Sequence, residues 1–299
     1  MTLDILLDEG SFSEIGQNGG FGTIDGRPVC VYIFEGLFEG CSTEVVDLAL
    51  KTGTPLITIF NCEGIKISHS TLADLANLFS RISIASGVIP RISIILGNCH
   101  GIFCYAETDF VLATKDCKLS VVMPDIIKLV TGKDAEVDGV KHARTENVHF
   151  IVESDEEAMM LTRRLLSYLP LNNMEDPPIA ETSDEPSRQT EQIASIIPDD
   201  PHKVYNVRDV ITAVVDDGEF LEIQPDFAQN AVVGFGRFDG VTAGIVANNP
   251  MVYAGCLDLN SVRKIARFIR FCDAFNIPIV TFVDTPGYLP DNQQELSGL

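Results

Sequence analysis

The chain has 299 residues, 45% of them hydrophobic, and sets 43 acidic side chains against 21 basic, a formal charge of 21 − 43 = −22. That balance excludes nucleic acid as a partner, because phosphates call for clustered Lys and Arg, and it excludes an anionic membrane surface. The apolar content excludes disorder over most of the length, and a chain of this size closes a core without disulfides or metals.

The start, MTLDILLDEGSF, has no basic region ahead of a long apolar run, so no signal peptide is read and a cytoplasmic location is expected. Residues 28–34 (PVCVYIF), 55–61 (PLITIFN), 91–96 (RISIIL) and 110–113 (FVLA) read as strands, dense in Val, Ile and Phe. Between them, 43–51 and 72–82 carry the 3.6-residue period of helices. Ser154 followed by Glu157 predicts a capped helix running to about Tyr168. Strands that are apolar throughout, separated by helices, imply a sheet covered on both faces, which is α/β architecture. From Pro170 to Pro201 the chain holds six prolines and eight acidic residues against the single Arg188, the chemistry of a linker. The expected division is therefore 1–169, an acidic Pro-rich linker 170–203, and 204–299. The uncharged stretch 240–257 is interrupted by Asn248-Asn249-Pro250 and falls short of the roughly 20 apolar residues of a membrane-spanning helix.

The eight cysteines (Cys30, Cys41, Cys62, Cys99, Cys104, Cys117, Cys256 and Cys272) form no CxxC pair and read as buried free thiols. The five histidines (His69, His100, His142, His149 and His202) show no metal-ligand spacing with them, so no metal is expected.

An internal repeat organises the chain. DEGSFSEI at 8–15 is matched by DDGEFLEI at 216–223, GFGTIDG at 20–26 by GFGRFDG at 234–240, and Gly40-Cys41 by Gly255-Cys256. TPLITIFNCEG at 54–64 resembles IPIVTFVDTPG at 277–287. The offsets drift slowly, 216 − 8 = 208, 234 − 20 = 214 and 278 − 55 = 223, so one fold is read twice. The first copy continues for about a hundred residues beyond Gly64 and the second for twelve beyond Gly287, so an incomplete second copy is expected.

In such a fold ligands gather at the turns that follow strands. Gly97-Asn98-Cys99-His100-Gly101 after the third strand presents main-chain amides toward an oxyanion, or is simply a tight turn that needs glycine; spacing leaves both open. His100 has neither a nucleophile signature nor an orienting carboxylate beside it and reads as structural. Lys66, in NCEGIKIS, is the one positive charge of its turn and suits a phosphate or carboxylate.

Residues 263–290, RKIARFIRFCDAFNIPIVTFVDTPGYLP, resemble the central signature of biotin-dependent carboxyltransferases, the family of acyl-CoA and propionyl-CoA carboxylase β subunits and related decarboxylase subunits. The likeness extends through LLDEGSFSEI, GTIDGRPV, ASGVIPRISIILGNCHG and VVGFGRFDGVTAGIVANNP, and so covers essentially the whole chain. It implies a crotonase-type (ClpP/crotonase) fold, duplicated, with the second copy incomplete. It further implies an acyl-CoA in the N-terminal half near Gly64, Ile65 and Lys66, and an oxyanion hole from the amides of Gly101 and Ile102. Carboxybiotin, borne by a biotin carboxyl carrier protein, would enter the C-terminal half, and the carboxyl group would pass between biotin N1 and the α-carbon of a short acyl-CoA. A homo-oligomer, or a separate chain supplying the missing C-terminal half, completes the implied assembly. The sequence departs from the family at two turns. Ile102 stands where a second glycine is usual, and Asn61-Cys62-Glu63-Gly64-Ile65-Lys66 replaces Asp-Ser-Gly-Gly-Ala-Arg, which sets the Glu63 carboxylate against CoA phosphates. These departures imply an alternative, an inactive carboxyltransferase-like subunit with a binding or assembly role, and the chain by itself is expected not to turn over.

Overall fold

The computed structural model describes residues 3–38, 40–66, 68–101, 108–200 and 203–299, with the main chain alone at 38 and 63–65. It divides between Glu175 and Asp176 into two units.

Unit 1 opens with α1 (Leu3–Leu6) and a meander of β1 (Ser13–Glu14), β2 (Gly19–Ile24) and β3 (Arg27–Phe38). Next come α2 (Glu44–Thr52), β4 (Leu56–Ile65), α3 (His69–Ile84), β5 (Arg91–Ile95), β6 (Asn98–His100), β7 (Phe110–Thr114) and β8 (Lys118–Ser120). The unit closes with α4 (Pro124–Thr131), α5 (Gly139–His142), β9 (Phe150–Val152) and α6 (Asp155–Leu166). Seven strands form one sheet in the order β1-β2-β3-β4-β5-β7-β9, antiparallel up to β3 and parallel beyond it. β6 and β8 pair separately, in parallel. Every residue of β5 and β7 is buried, as strands covered on both faces must be. Thr71, Leu75, Leu78 and Ile82 form the buried stripe of α3, whose first turn is capped by Ser68 accepting the Thr71 amide. Ser154 caps α6 through the Glu157 amide, and Glu157 reaches back to the Glu153 N–H, one residue further out than the capping box expected at Ser154.

The β2–β3 connection is Asp25-Gly26, with φ of 50° and 73°, the two-residue turn whose twist suits a hairpin and which favours Asp-Gly. Asp8 fastens it, accepting from the Asp25 N–H at 3.0 Å, the Gly26 N–H at 2.8 Å and the Thr23 hydroxyl at 2.8 Å. Arg163 of α6 donates to Asp8 and to the Leu6 carbonyl that ends α1.

Unit 2 contains α7 (Ile193–Ile196), α8 (Val207–Val214), β10 (Leu221–Ile223), β11 (Ala231–Phe238), β12 (Val241–Asn248), α9 (Leu259–Ala274), β13 (Ile279–Phe282) and α10 (Asn292–Leu296). Its sheet, β10-β11-β12-β13, repeats the directions of β1-β2-β3-β4: antiparallel, antiparallel, parallel. The registers repeat as well. Ser13 faces Phe21 as Leu221 faces Phe235, and Cys30 faces Leu56 as Gly244 faces Ile279. The β11–β12 turn is again Asp-Gly, Asp239-Gly240 with φ of 53° and 76°, and the Gly240 N–H donates to Asp216, the counterpart of Asp8. Within the unit the Lys264 ammonium of α9 is buried and donates to the carbonyls of Gln224, Phe227 and Ala231, at 2.8, 2.8 and 2.9 Å.

The segment expected as a linker, 170–203, is shared between the units. Asn172 donates to the Gly53 carbonyl in unit 1. From Asp176 onward the segment is bonded to unit 2: Ala180 N–H donates to Gly240 O at 3.0 Å. The Arg188 guanidinium donates to the carbonyls of Ala213, Val214 and Val215, at 3.1, 3.1 and 2.9 Å. Ala213 and Val214 end α8, their carbonyls are among the acceptors a helix leaves unpaired at its C-terminus, and Arg188 answers them. Pro201 and His202 lie outside the described residues.

Candidate functional site

The C-terminal ends of β4 and β5 bring the sequence-derived residues to one edge of the unit 1 sheet. β4 does not stop at Asn61 in a turn, as its polar NCEGIK composition suggests. It continues to Ile65 because β3 is long enough to pair with it: Gly36 faces Cys62, Leu37 faces Gly64 and Phe38 faces Ile65. Glu63 is the extra residue of a bulge in that ladder, its side chain outside the described residues. Lys66 follows directly and is exposed.

Where β5 leaves β4, the Leu96 N–H donates to Phe60 O, and Gly97 passes so close to Asn61 that a Cβ there would lie 2.2 Å from Asn61 Oδ1. This approach is what requires glycine at 97. The turn is then bolted to β8. Lys118 N–H donates to Gly97 O at 3.0 Å, His100 Nδ1 and Ser120 Oγ are 2.9 Å apart, and Gly101 N–H donates to Ser120 O at 3.0 Å. Gly101 is buried with φ of 69°. The Gly101 amide, expected as an oxyanion donor, is bonded to Ser120 O in this structure, and its left-handed conformation is one that glycine adopts without strain. Ile102, the other expected donor, and Cys104 lie outside the described residues.

Among the described residues, the titratable groups here are not tuned as nucleophiles. Burial pushes the Cys62 thiol up to about 12 and the Cys41 thiol up to about 11, with Asp74 adding to the latter. Burial, aided by the Lys118 charge, lowers His100 below the ordinary histidine value, and its partner is the Ser120 hydroxyl rather than a carboxylate. The seven described cysteines are all free, five of them buried, as the sequence suggested. A cleft of about 560 Å³ opens beside the start of α2, lined by Cys41, Thr43, Asp74, Asn77, Ser80 and Arg81. Neither this cleft nor the Ser120 clasp was legible in the sequence, because both join residues nineteen or more positions apart without a shared motif.

In unit 2 the turn corresponding to 61–66 is Asp284 to Leu289. Tyr205 Oη donates to Asp284 at 2.8 Å, and burial with the neighbouring carboxylate raises the phenol to about 12. Gly287, with φ of 134°, has open space where a Cβ would point, so the main chain is approachable there. Leu257 braces the turn, donating to Gly287 O and accepting from Leu289 N–H.

Comparison with known proteins agrees with this architecture. The carboxyl transferase domain family matches residues 2–299. The carboxyltransferase subunit of propionyl-CoA carboxylase from Haloferax mediterranei is 41% identical over 99% of this chain and 65% of its own length. The methylmalonyl-CoA decarboxylase α subunit of Veillonella parvula is 42% identical over 94% of the chain and 59% of its own. Among solved structures, the transcarboxylase 12S subunit, described as a hexamer with methylmalonyl-CoA bound, superposes with a TM-score of 0.90 at 36% identity over 99% of this chain and 65% of that one. The chain thus spans somewhat less than two thirds of these relatives.

Proposed function

The chain belongs to the carboxyl transferase domain family, and from that premise we propose that it is the carboxyltransferase component of a biotin-dependent acyl-CoA carboxylase or decarboxylase. The substrate would be a short acyl-CoA, held in unit 1. The observation that carries this reading is the meeting of two strand ends: the exposed Lys66 after β4, and the Gly97–Gly101 turn packed on Asn61 and bolted to β8.

Within this proposal Lys66 attracts a CoA phosphate as a point charge. The main chain of Gly64 and Ile65, carried past the Glu63 bulge, runs alongside the thioester arm. Gly101, with its left-handed conformation, starts the loop whose amides would face the thioester oxygen as negative charge develops there. Carboxybiotin on a carrier protein would supply the carboxyl group: the carboxyl would become bonded to the acyl α-carbon as its bond to biotin N1 breaks, and the α-proton would pass to N1. The approachable main chain at Gly287 is the unit 2 surface suited to the biotin ring. In the same reading the protein assembles with further copies or subunits.

Calorimetric titration with propionyl-CoA tests the proposal. Binding is expected, and Lys66→Glu should weaken it by about tenfold, near 1.4 kcal/mol. Absence of any acyl-CoA affinity at millimolar concentration, or unchanged affinity in the variant, would sink it.

A further inference from the structure

The connection from β12 to α9 runs through strained backbone. Tyr253, Ala254 and Gly255 follow one another at φ of 52°, 51° and 78°, left-handed values that a side chain bears at a cost. Such backbone persists only where its surroundings fix it. Buried amide side chains do so here. Asn248 Nδ2 donates to Gly255 O at 3.3 Å, and Asn230 Nδ2 donates to Cys256 O at 2.9 Å and to Asp258 Oδ1 at 3.1 Å. Asp258 is the N-cap of α9, and Lys264 of the same helix holds the segment that carries Asn230, through the carbonyls of Gln224, Phe227 and Ala231. The ring is closed: α9 anchors 224–231, and Asn230 returns to the cap of α9.

The hairpin itself does not ask for these amides. By register Gly244 answers Cys30, so Asn248 answers Phe34, which is buried against the Phe60 ring. The connection that carries Asn230 is also longer in unit 2: Glu222 faces Gly234 and Glu14 faces Gly20, spans of 234 − 222 = 12 and 20 − 14 = 6. A buried amide is costly unless its bonds are made, so two of them added to one copy point to a task of that copy. The segment they fix is the one that meets the turn 284–289. Leu257 N–H donates to Gly287 O at 3.0 Å, and Leu289 N–H donates to Leu257 O at 2.8 Å. Gly255 passes so near the start of the turn that a Cβ there would lie 2.5 Å from Asp284 O. Within the turn, Thr285 Oγ1 accepts from Gly287 N–H and donates to Gly287 O, each at 3.1 Å.

We propose that Asn230 and Asn248 are positioning residues for the Gly287 turn. Their side-chain amides set the carbonyls of Gly255 and Cys256, those carbonyls set Leu257, and Leu257 holds the turn from outside. On the reading of Gly287 as the surface for the biotin ring, on which this role rests, the ring meets a main chain already fixed in place, and little ordering is left to be done on binding.

Hydrogen exchange at single amides of the full 299-residue protein reads the brace directly, because the Leu257 and Leu289 N–H groups make its two bonds. In the parent both should exchange as slowly as the amides of β11. Asn230→Asp turns a donor into an acceptor at nearly constant shape, and Asn248→Ser withdraws the donor from Gly255. Each should speed both amides by about tenfold and leave β11 unchanged. In the same variants free biotin, titrated at millimolar concentration, should bind about fivefold more weakly while propionyl-CoA binding stays as in the parent. Leu257 and Leu289 amides that exchange freely in the parent would overturn the role without any variant, so a variant that fails to fold does not shield it. Exchange quickened across β11 as well, or a loosened turn with undiminished biotin affinity, would make the two asparagines merely structural and overturn it too. A turn loosened by the variants of a parent that binds no biotin would strike the reading of Gly287 and leave the brace standing.

Discussion

Four donors converge on Asp8: the amides of Asp25 and Gly26, the Thr23 hydroxyl and the Arg163 guanidinium. Together they hold its carboxyl well below the ordinary carboxylate range, the Gly26 amide contributing most. The sign of the pH dependence follows. The folded pKa lies under the unfolded value of 3.8, so the stabilisation is complete above that value and is lost as pH falls through the depressed one. Asp8→Asn should therefore lower the melting temperature at pH 7 and flatten the melting-temperature curve below about pH 4, which a thermal denaturation series checks. Asp8 and its repeat partner Asp216 were visible in sequence as the first residues of matched motifs, but nothing local disclosed that they face the Asp-Gly turns seventeen or more residues on.

The glycines of β2 and β11 show how a shared element tolerates divergent neighbours. A Cβ at Gly20 would lie 2.2 Å from Ser13 O and against the Phe12 ring; at Gly234 it would lie 2.3 Å from Leu221 O and against the Phe220 ring. In both copies an aromatic side chain from the adjoining segment covers a strand glycine. Gly234→Ala should cost about 3 kcal/mol by overpacking, read as a shift in the denaturant midpoint, with Gly20→Ala similar in unit 1. Strands β3, β4, β5 and β7 could be read from sequence because apolar runs are a local rule, whereas the hairpins showed only as matched repeats. The continuation of β4 to Ile65 could not, since Asn61, Glu63 and Lys66 favour a loop and only the long β3 ladder overrides that preference. The candidate site was legible to the same degree. The placement of Lys66 after β4 and of the 97–101 turn after β5 could be read from sequence, whereas the engagement of Gly101 with Ser120 required the β6–β8 pairing.

At the scale of the whole chain, the acidic, proline-rich stretch is not interchangeable with a flexible spacer. Arg188 supplies to α8 in unit 2 what Arg163 supplies to α1 in unit 1, a guanidinium on the helix's last carbonyls. Replacing residues 176–200 with a Gly-Ser spacer of equal length should lower the stability of unit 2 and leave unit 1 unchanged, as hydrogen exchange resolved by segment would report. Two hairpins of identical register in one polypeptide also raise the danger that a nascent chain inserts the wrong one. The position where Cys30 answers Gly244 guards against this. In unit 2, α9 presses Cys272 and Phe268 so near Gly244 that a Cβ would sit 2.6 Å from the Cys272 sulfur, while in unit 1 the Cys30 side chain is fully buried in the core. Exchange would force a thiol into an occupied space in one unit and leave a hole in the other. Side-chain size at this position is thus one feature that fits each hairpin to its own unit, in the manner of an address label.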